Sequence, residues 1–252
     1  MIRAEDLRAA YGKTQVLHGV SAEFRPGELW GVIGPNGSGK TTLLRLLARL
    51  ARPAGGTLTL EGLAYDRWSR RAFAQKVALL PQQQDAPAVT VRELAAYGRY
   101  PYQTFGYGPS AADREAVERA LLRAGAAELA DRDVRTLSGG QRQRARLAMV
   151  LAQDARVLLL DEPTTWLDPG GQFAVMELLR ELAGEGRCVV AVLHDLNLAL
   201  SCCGRLVVLE AGRLRGVGEP AALAEQGLLD EVFGVRCVPS GEGWLLLPDR
   251  KR

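Results

Sequence analysis

Nine consecutive residues, Gly34-Pro35-Asn36-Gly37-Ser38-Gly39-Lys40-Thr41-Thr42, have the spacing G-x-x-x-x-G-K-[ST], the pattern of a phosphate-binding loop. Its glycines let the backbone curl tightly, so that successive N–H groups converge on phosphate oxygens. A helix starting at that point adds partial positive charge. Lys40 can reach the β- and γ-phosphates, and the Thr41 hydroxyl can ligate Mg²⁺. An apolar run from Leu29 to Ile33 precedes the loop, and Leu43, Leu44, Leu46, Leu47 and Leu50 follow at helical spacing. That strand-to-helix placement separates the stretch from a glycine-rich surface turn. It is read as a nucleotide site.

Two carboxylates supply the next piece of chemistry. Asp161 and Glu162 follow the unbroken apolar run Val157 to Leu160, which reads as a buried parallel strand. Ligands of α/β sheets bind at the carboxyl ends of such strands. Asp161 is placed to hold Mg²⁺, usually through water, and Glu162 to polarise an attacking water. Adjacent carboxylates repel each other unless a cation lies between them, which itself argues for Mg²⁺. His194 ends a second apolar run, Cys188 to Leu193. A lone histidine at a strand end is more often structural, but this one falls at the phosphate-loop end of the sheet. His18 lacks that context and reads as structural. Leu137-Ser138-Gly139-Gly140-Gln141 precedes a helix with Leu147, Val150 and Leu151 on one face. By the same physics as the phosphate loop it is a second anion-binding helix start, although alone it would be an ordinary cap.

The elements that must position these groups follow from the rest of the chain. With 252 residues, 47% hydrophobic and 24% charged, it is long enough for one large α/β domain with an insert. A net charge of +3 is too small to argue for nucleic acid. Arg142, Arg144 and Arg146 read as the solvated or phosphate-facing side of a helix. Four cysteines without C-x-x-C spacing and two histidines give no metal-binding pattern of their own. A reducing, cytoplasmic compartment is the default expectation. Neither a signal-peptide pattern nor an apolar run long enough to span a bilayer is visible, so a membrane role would come through a partner.

Strands are expected over Ile2 to Tyr11, Gln15 to Phe24 and Leu29 to Ile33, then a helix to about Leu50. Short strands at Thr57 to Leu60 and Lys76 to Leu80 flank a helix over 69–76. Gln82, Gln83 and Gln84 open a polar loop. Thr90 with Glu93 forms a capping box, and an aromatic segment, Tyr97 to Tyr107, follows. A second helix starts at Pro109 to Asp113 and stops at Gly125, and a short element covers 126–131. From about 85 to 155 the pattern is helical, which implies a helical subdomain (85–155) set into a nucleotide-binding core (1–84 and 156–252). A helix over 170–183, a hairpin turning at Ala211-Gly212, one helix over 220–233 and short strands at 235–238 and 244–247 complete the expectation.

Taken together, these motifs resemble the ATPase subunits of ABC transporters, in that family's order and over nearly the whole chain. The matching segments are the phosphate loop 34–42, a glutamine loop at Gln82, the signature Leu137 to Gln141, the acidic strand end 157–163, a loop around Asp168, and His194. The resemblance implies an α/β P-loop core with an N-terminal antiparallel β subdomain. It also implies that Tyr11 stacks on adenine, that Gln82 senses the metal, that Asp161 supports Mg²⁺, that Glu162 activates water and that His194 contacts the γ-phosphate. Two copies would pack head to tail, with Ser138, Gly139, Gly140 and Gln141 of one closing over the ATP of the other and Asp168 acting across the interface. Implied partners are two membrane permease subunits at the cytoplasmic face of the inner membrane and, indirectly, an extracytoplasmic binding protein; nucleic acid is not among them. Gly98 to Tyr102 and the variant Thr164-Thr165-Trp166-Leu167-Asp168 look like the importer branch for ferric siderophores, haem and vitamin B12, with the ferric-siderophore members favoured. Haem or cobalamin import, an exporter, and a soluble ABC protein remain the alternatives. The aromatics Tyr97, Tyr100, Tyr102, Phe105 and Tyr107 either pack the helical part or form a docking surface for the membrane subunit.

Overall fold

Strand β1 (Ile2–Tyr11) pairs antiparallel with β2 (Thr14–Phe24), Ile2 opposite Phe24 and Tyr11 opposite Thr14. Ile2, Ala4, Leu7 and Ala9 are buried, so β1 points one edge of its pleat inward. The computed structural model describes residues 1–82, 86–103, 108–241 and 243–248. After a turn the chain leaves this sheet and enters β3 (Leu29–Ile33), every residue of which is buried. Helix α1 (Lys40–Leu47) follows the phosphate loop. It stops earlier than the leucine pattern suggests, because Arg49 adopts φ 59° and the Leu50 N–H turns back to the Arg45 carbonyl at 2.9 Å, a left-handed helix stop. Strands β4 (Gly55–Leu60) and β5 (Leu63–Ala64) return to the first sheet, which has the order β2-β1-β4-β5.

Helix α2 (Arg70–Lys76), capped by Ser69, leads into β6 (Val77–Leu80). The next three helices are α3 (Val91–Ala96), α4 (Ala111–Arg123) and α5 (Gly139–Ala152). Each starts with a complete capping box: Thr90 with Glu93, Ser110 with Asp113, and Ser138 with Gln141. The 84/85 edge expected for the helical part lies outside the described residues, as do Gln83 and Gln84. Strand β7 (Val157–Asp161), helix α6 (Pro169–Gly184), strand β8 (Cys188–Val192), helix α7 (Leu196–Cys202) and the hairpin β9 (Arg205–Glu210) and β10 (Arg213–Gly218) rebuild the core. The single helix expected over 220–233 is two, α8 (Pro220–Glu225) and α9 (Leu228–Phe233), because Gly227 takes φ 72° between them. The pair β11 (Val235–Ser240) and β12 (Gly243–Pro248) closes the described chain.

The central sheet has the order β10-β9-β3-β8-β7-β6, parallel except for β10. Its strands carry two cores at once. Trp30, Val32, Val157, Leu159, Val190 and Val192 pack with α1 and the antiparallel sheet, including Ile2, Phe24, Leu43 and Leu60. Their alternates Leu29, Ile33, Leu158, Leu160, Val189 and Ala191 pack with α5, α6 and α7 on the opposite face. A strand covered on both faces has no use for polar alternation, hence the unbroken apolar runs. At the carboxyl ends of β3, β7 and β8 the chain supplies the phosphate loop, Asp161-Glu162 and His194 respectively. This is the α/β architecture, with antiparallel β and helical parts, expected from the sequence.

Candidate functional site

Asn36 to Thr42 of the phosphate loop line a cavity of 530 Å³ together with Val16, Gln82, Glu162 and His194. Gly39 is the N-cap of α1, so the helix's positive end opens into this space. Lys40, though a lysine, is almost wholly buried. Its Nζ donates to the carbonyls of Gly34 at 2.8 Å and Pro35 at 3.0 Å, folding the side chain back across the loop. Burial pushes its pKa down, while the Glu162 and Asp161 carboxylates pull it back up. The Ser38 hydroxyl is buried without a protein partner among the described residues, as expected of a group that faces a ligand.

Asp161 ends β7 and is buried, with Thr41 Oγ1 donating to its Oδ1 at 3.3 Å. Burial raises its pKa, the Thr41 bond opposes that, and the neighbouring Glu162 adds to it. A cation would relieve both the desolvation and the repulsion. The hydroxyl and carboxylate are hard oxygen donors, which suit Mg²⁺, an ion that takes one or two protein oxygens and completes its shell with phosphate and water. Among the described residues no cluster of three or more His, Cys, Asp or Glu exists, so a site here depends on the nucleotide for its remaining ligands.

Glu162 turns the chain sharply. It has φ 54°, and its N–H donates to the Val192 carbonyl on β8 at 3.1 Å. Non-glycine residues adopt that conformation at a cost and cluster at functional sites. Its carboxylate is shared by three neighbours. His194 Nε2 lies 2.5 Å from Oε1, and the Gln82 side-chain amide also donates to Oε1. Thr165 Oγ1 donates to Oε2 at 3.2 Å. The structure therefore brings Lys40, Thr41, Gln82, Asp161, Glu162 and His194 into one place. Tyr11, half-exposed at the end of β1, does not line the cavity; Val16 on the facing strand does.

The signature residues Ser138, Gly139, Gly140 and Gln141 line a different cavity, of 700 Å³, with Trp166, Leu167, Asp168 and Arg144. The Ser138 hydroxyl accepts from the Gln141 N–H at 3.3 Å, and its own proton stays available to an anion. Asp168 caps α6, accepting from the Gly171 N–H at 2.8 Å. Arg142 is tied to the Leu137 carbonyl, and Arg146 is half-buried rather than solvated, with burial lowering its pKa. His18 lines neither cavity and its N–H meets the Gly212 carbonyl.

Two contributors escape a motif search. Gln143, buried on α5, donates its amide to the Pro163 carbonyl at 2.8 Å, fixing the loop behind Glu162. Its only sequence signal is a polar residue on the helix's packed face. Thr165 is the other. Of the aromatic segment, Tyr97 packs on the core and stacks with the exposed Tyr100 at 5.1 Å. Tyr102 lies under the Arg99 guanidinium at 3.9 Å. Phe105 and Tyr107 lie outside the described residues.

Comparison with known proteins agrees with this geometry. The ABC transporter family profile matches residues 17–165. The ferric enterobactin transport ATP-binding protein FepC of Escherichia coli (strain K12) is 44% identical over 239 residues, 94% of this chain and 88% of that protein. The petrobactin import ATP-binding protein FpuD of Bacillus anthracis is 43% identical, covering 94% of this chain and 87% of its own. The hemin import ATP-binding protein HmuV of Pseudomonas fluorescens (strain Pf0-1) is 42% identical, over 93% of each. Among solved structures, the dimeric bacterial ABC transporter cassette MJ0796 superposes with a TM-score of 0.78 at 27% identity, covering 87% of this chain and 99% of that one.

Proposed function

We propose, from the premise that the chain belongs to the ABC transporter family and is one of its ATP-hydrolysing subunits, that it energises a membrane importer for ferric siderophores. The observation that carries the hydrolytic reading is Glu162, held at the end of β7 beside the phosphate loop with His194, Gln82 and Thr165 on its carboxylate. The cargo reading is supported by the names of the similar enterobactin and petrobactin proteins and by the Thr164-to-Asp168 variant.

The phosphate-loop amides and Lys40 bind the β- and γ-phosphates. Thr41 and Asp161, with Gln82, would hold Mg²⁺, which neutralises phosphate charge when bound. Glu162 accepts a proton from the attacking water. Because Oε1 is taken by both His194 and Gln82, one of them must yield its place to that water, and His194 then turns its Nε2 to the γ-phosphate. Tyr11 is assigned to the adenine. Ser138 to Gln141 and Asp168 face a cavity that no phosphate-loop residue lines, which supports a head-to-tail homodimer in which each ATP is closed over by the second copy. The 85–155 segment is the part that follows closure, moving two permease subunits at the cytoplasmic face of the membrane. No described helix is long and apolar enough to cross a membrane, which fits attachment through those subunits.

Glu162→Gln is the test. With ATP and Mg²⁺ it should run as a dimer on a sizing column and hydrolyse ATP far more slowly; a persistent monomer would sink the assembly. Co-purification with permease subunits, and the ligand bound by the accompanying binding protein, test the rest: haem or cobalamin there would replace the siderophore reading.

A further inference from the structure

We propose that the two-residue turn Ala211-Gly212, between β9 and β10, is a positioning element of the phosphate loop, acting through Gly212. The proposal rests on the reading of 34–42 as the phosphate cradle. Neither turn residue lines the phosphate cavity; they press on its walls from behind. The Gly212 N–H donates to the Ser38 carbonyl at 3.2 Å, and the Gly212 carbonyl accepts from the His18 N–H at 2.9 Å. The turn thus pins the phosphate loop on one side and β2 on the other.

The bond to Ser38 has a directional consequence. In a planar trans peptide the C=O and the next N–H point opposite ways. Holding the Ser38 carbonyl toward Gly212 therefore aims the Gly39 N–H away from the turn, toward the cavity that Gly39 lines. Orientation of such amides is what makes the loop an anion cradle. Contact is close enough to transmit any displacement. A Cβ on Gly212 would lie 2.1 Å from the carbonyl oxygen of Val16, itself a cavity residue, and 2.8 Å from the His18 ring. At the preceding strand end, the Leu209 carbonyl sits 2.0 Å from where a Cβ on Gly34 would be. Backbone atoms on both sides leave no flexible side chain to give way.

The chain contains its own control. Glu61-Gly62, between β4 and β5, is the same kind of turn, with φ 52° and 80° against 46° and 75° at Ala211-Gly212. A Cβ on Gly62 meets nothing within 4 Å. Alanine therefore meets the same left-handed strain at both positions, and only at Gly212 is it driven against the phosphate loop.

Gly212→Ala and Gly62→Ala are to be compared for equilibrium ATP affinity and for thermal midpoint. Gly212→Ala should weaken ATP binding about tenfold or more, since a small displacement of positioning groups is amplified at a site. Gly62→Ala should stay within about twofold, as a surface change does. Equal ATP affinity in the two variants overturns the proposal. Lys40→Ala separates it from the reading beneath it: near-normal ATP affinity in that variant refutes the cradle, whereas lost affinity there with an unaffected Gly212→Ala refutes only the turn's role. If Gly212→Ala does not fold, hydrogen exchange on the unaltered chain decides. ATP should slow exchange in the 210–214 segment together with 34–42, and protection confined to 34–42 overturns the proposal.

Discussion

Removing one hydroxyl offers a sharp test of how Glu162 is held. Thr165→Val keeps the shape of the side chain and deletes the donor that sits 3.2 Å from Glu162 Oε2. Hydrogen bonds to charged groups contribute about 1.5–3 kcal/mol. This one is at the long end of the range, and Oε1 keeps two donors of its own, so a loss of about 1–2 kcal/mol from the oriented carboxylate is the reasonable value. With each 1.36 kcal/mol worth a factor of ten in rate, kcat should fall about five- to thirtyfold. Thr165 does not line the phosphate cavity, so KM for ATP should move by less than about twofold, the signature of an interaction felt only in the chemical step. Thr165→Ser retains the hydroxyl and should recover most of kcat. Steady-state phosphate release against Mg-ATP concentration reads both constants. A wild-type kcat in Thr165→Val would mean that His194 and Gln82 orient Glu162 unaided, and the argument from Oε2 would be wrong. A raised KM at unchanged kcat would refute it equally, by placing the residue in ground-state binding.

The same loop should be sensitive from behind. Gln143→Leu strips the Pro163 carbonyl of its donor, which should cost about 1–3 kcal/mol in urea unfolding and lower kcat with it; Gln143→Glu, which sets a carboxylate against that carbonyl, should do worse. Asp113→Ala leaves Arg99 buried against the Ala152 carbonyl and Tyr102 without its counter-ion, and should destabilise the fold by about 3 kcal/mol. The Ser110 hydroxyl first, then Arg99, hold the Asp113 carboxyl below its ordinary range. Its contribution is therefore complete above the unfolded value of about 3.9 and is lost as pH falls through the lower folded value. Urea midpoints should accordingly show the gap between wild type and Asp113→Ala constant near neutrality and closing only in that acid window.

Groups with chemistry at the ends of apolar runs were legible because the run and the group share one stretch of chain. Val157 to Leu160 can only be a doubly covered strand, and whatever follows it must emerge at the ligand edge, so Asp161 and Glu162 could be placed without coordinates. Capping boxes at Thr90, Ser110 and Ser138 are equally local. Thr165, Gln143 and Gly212 were not legible, since their partners are oxygens whose positions depend on how separate segments pack. Helix α7 escaped for a different reason: seven residues behind the Asp195 cap are too short to display a helical period. The stop of α1 rests on Arg49 in a left-handed conformation, and arginine carries no preference that would announce it.

One short loop links the two cavities. It starts at Glu162, whose carboxylate faces the phosphate loop, and ends at Asp168, which lines the cavity of the signature residues. Thr165 ties its middle to Glu162, and Gln143 ties its start to the helix whose first turn is the signature. Two of its residues, Glu162 and Trp166, adopt left-handed backbone conformations, with φ 54° and 69°. Trp166 also lies against Gly139, with its Cβ 3.0 Å from where a Cβ on that glycine would be, while most of the Trp166 residue, 70%, remains exposed. A loop strained at two points and tied at both ends has few conformations open to it. Whatever docks against Trp166 and Ser138 must therefore either leave the loop as it is or shift Glu162 along with it. In a dimer closed over ATP, that makes the second copy part of the control on the water-activating carboxylate of the first, as well as a wall of its nucleotide site.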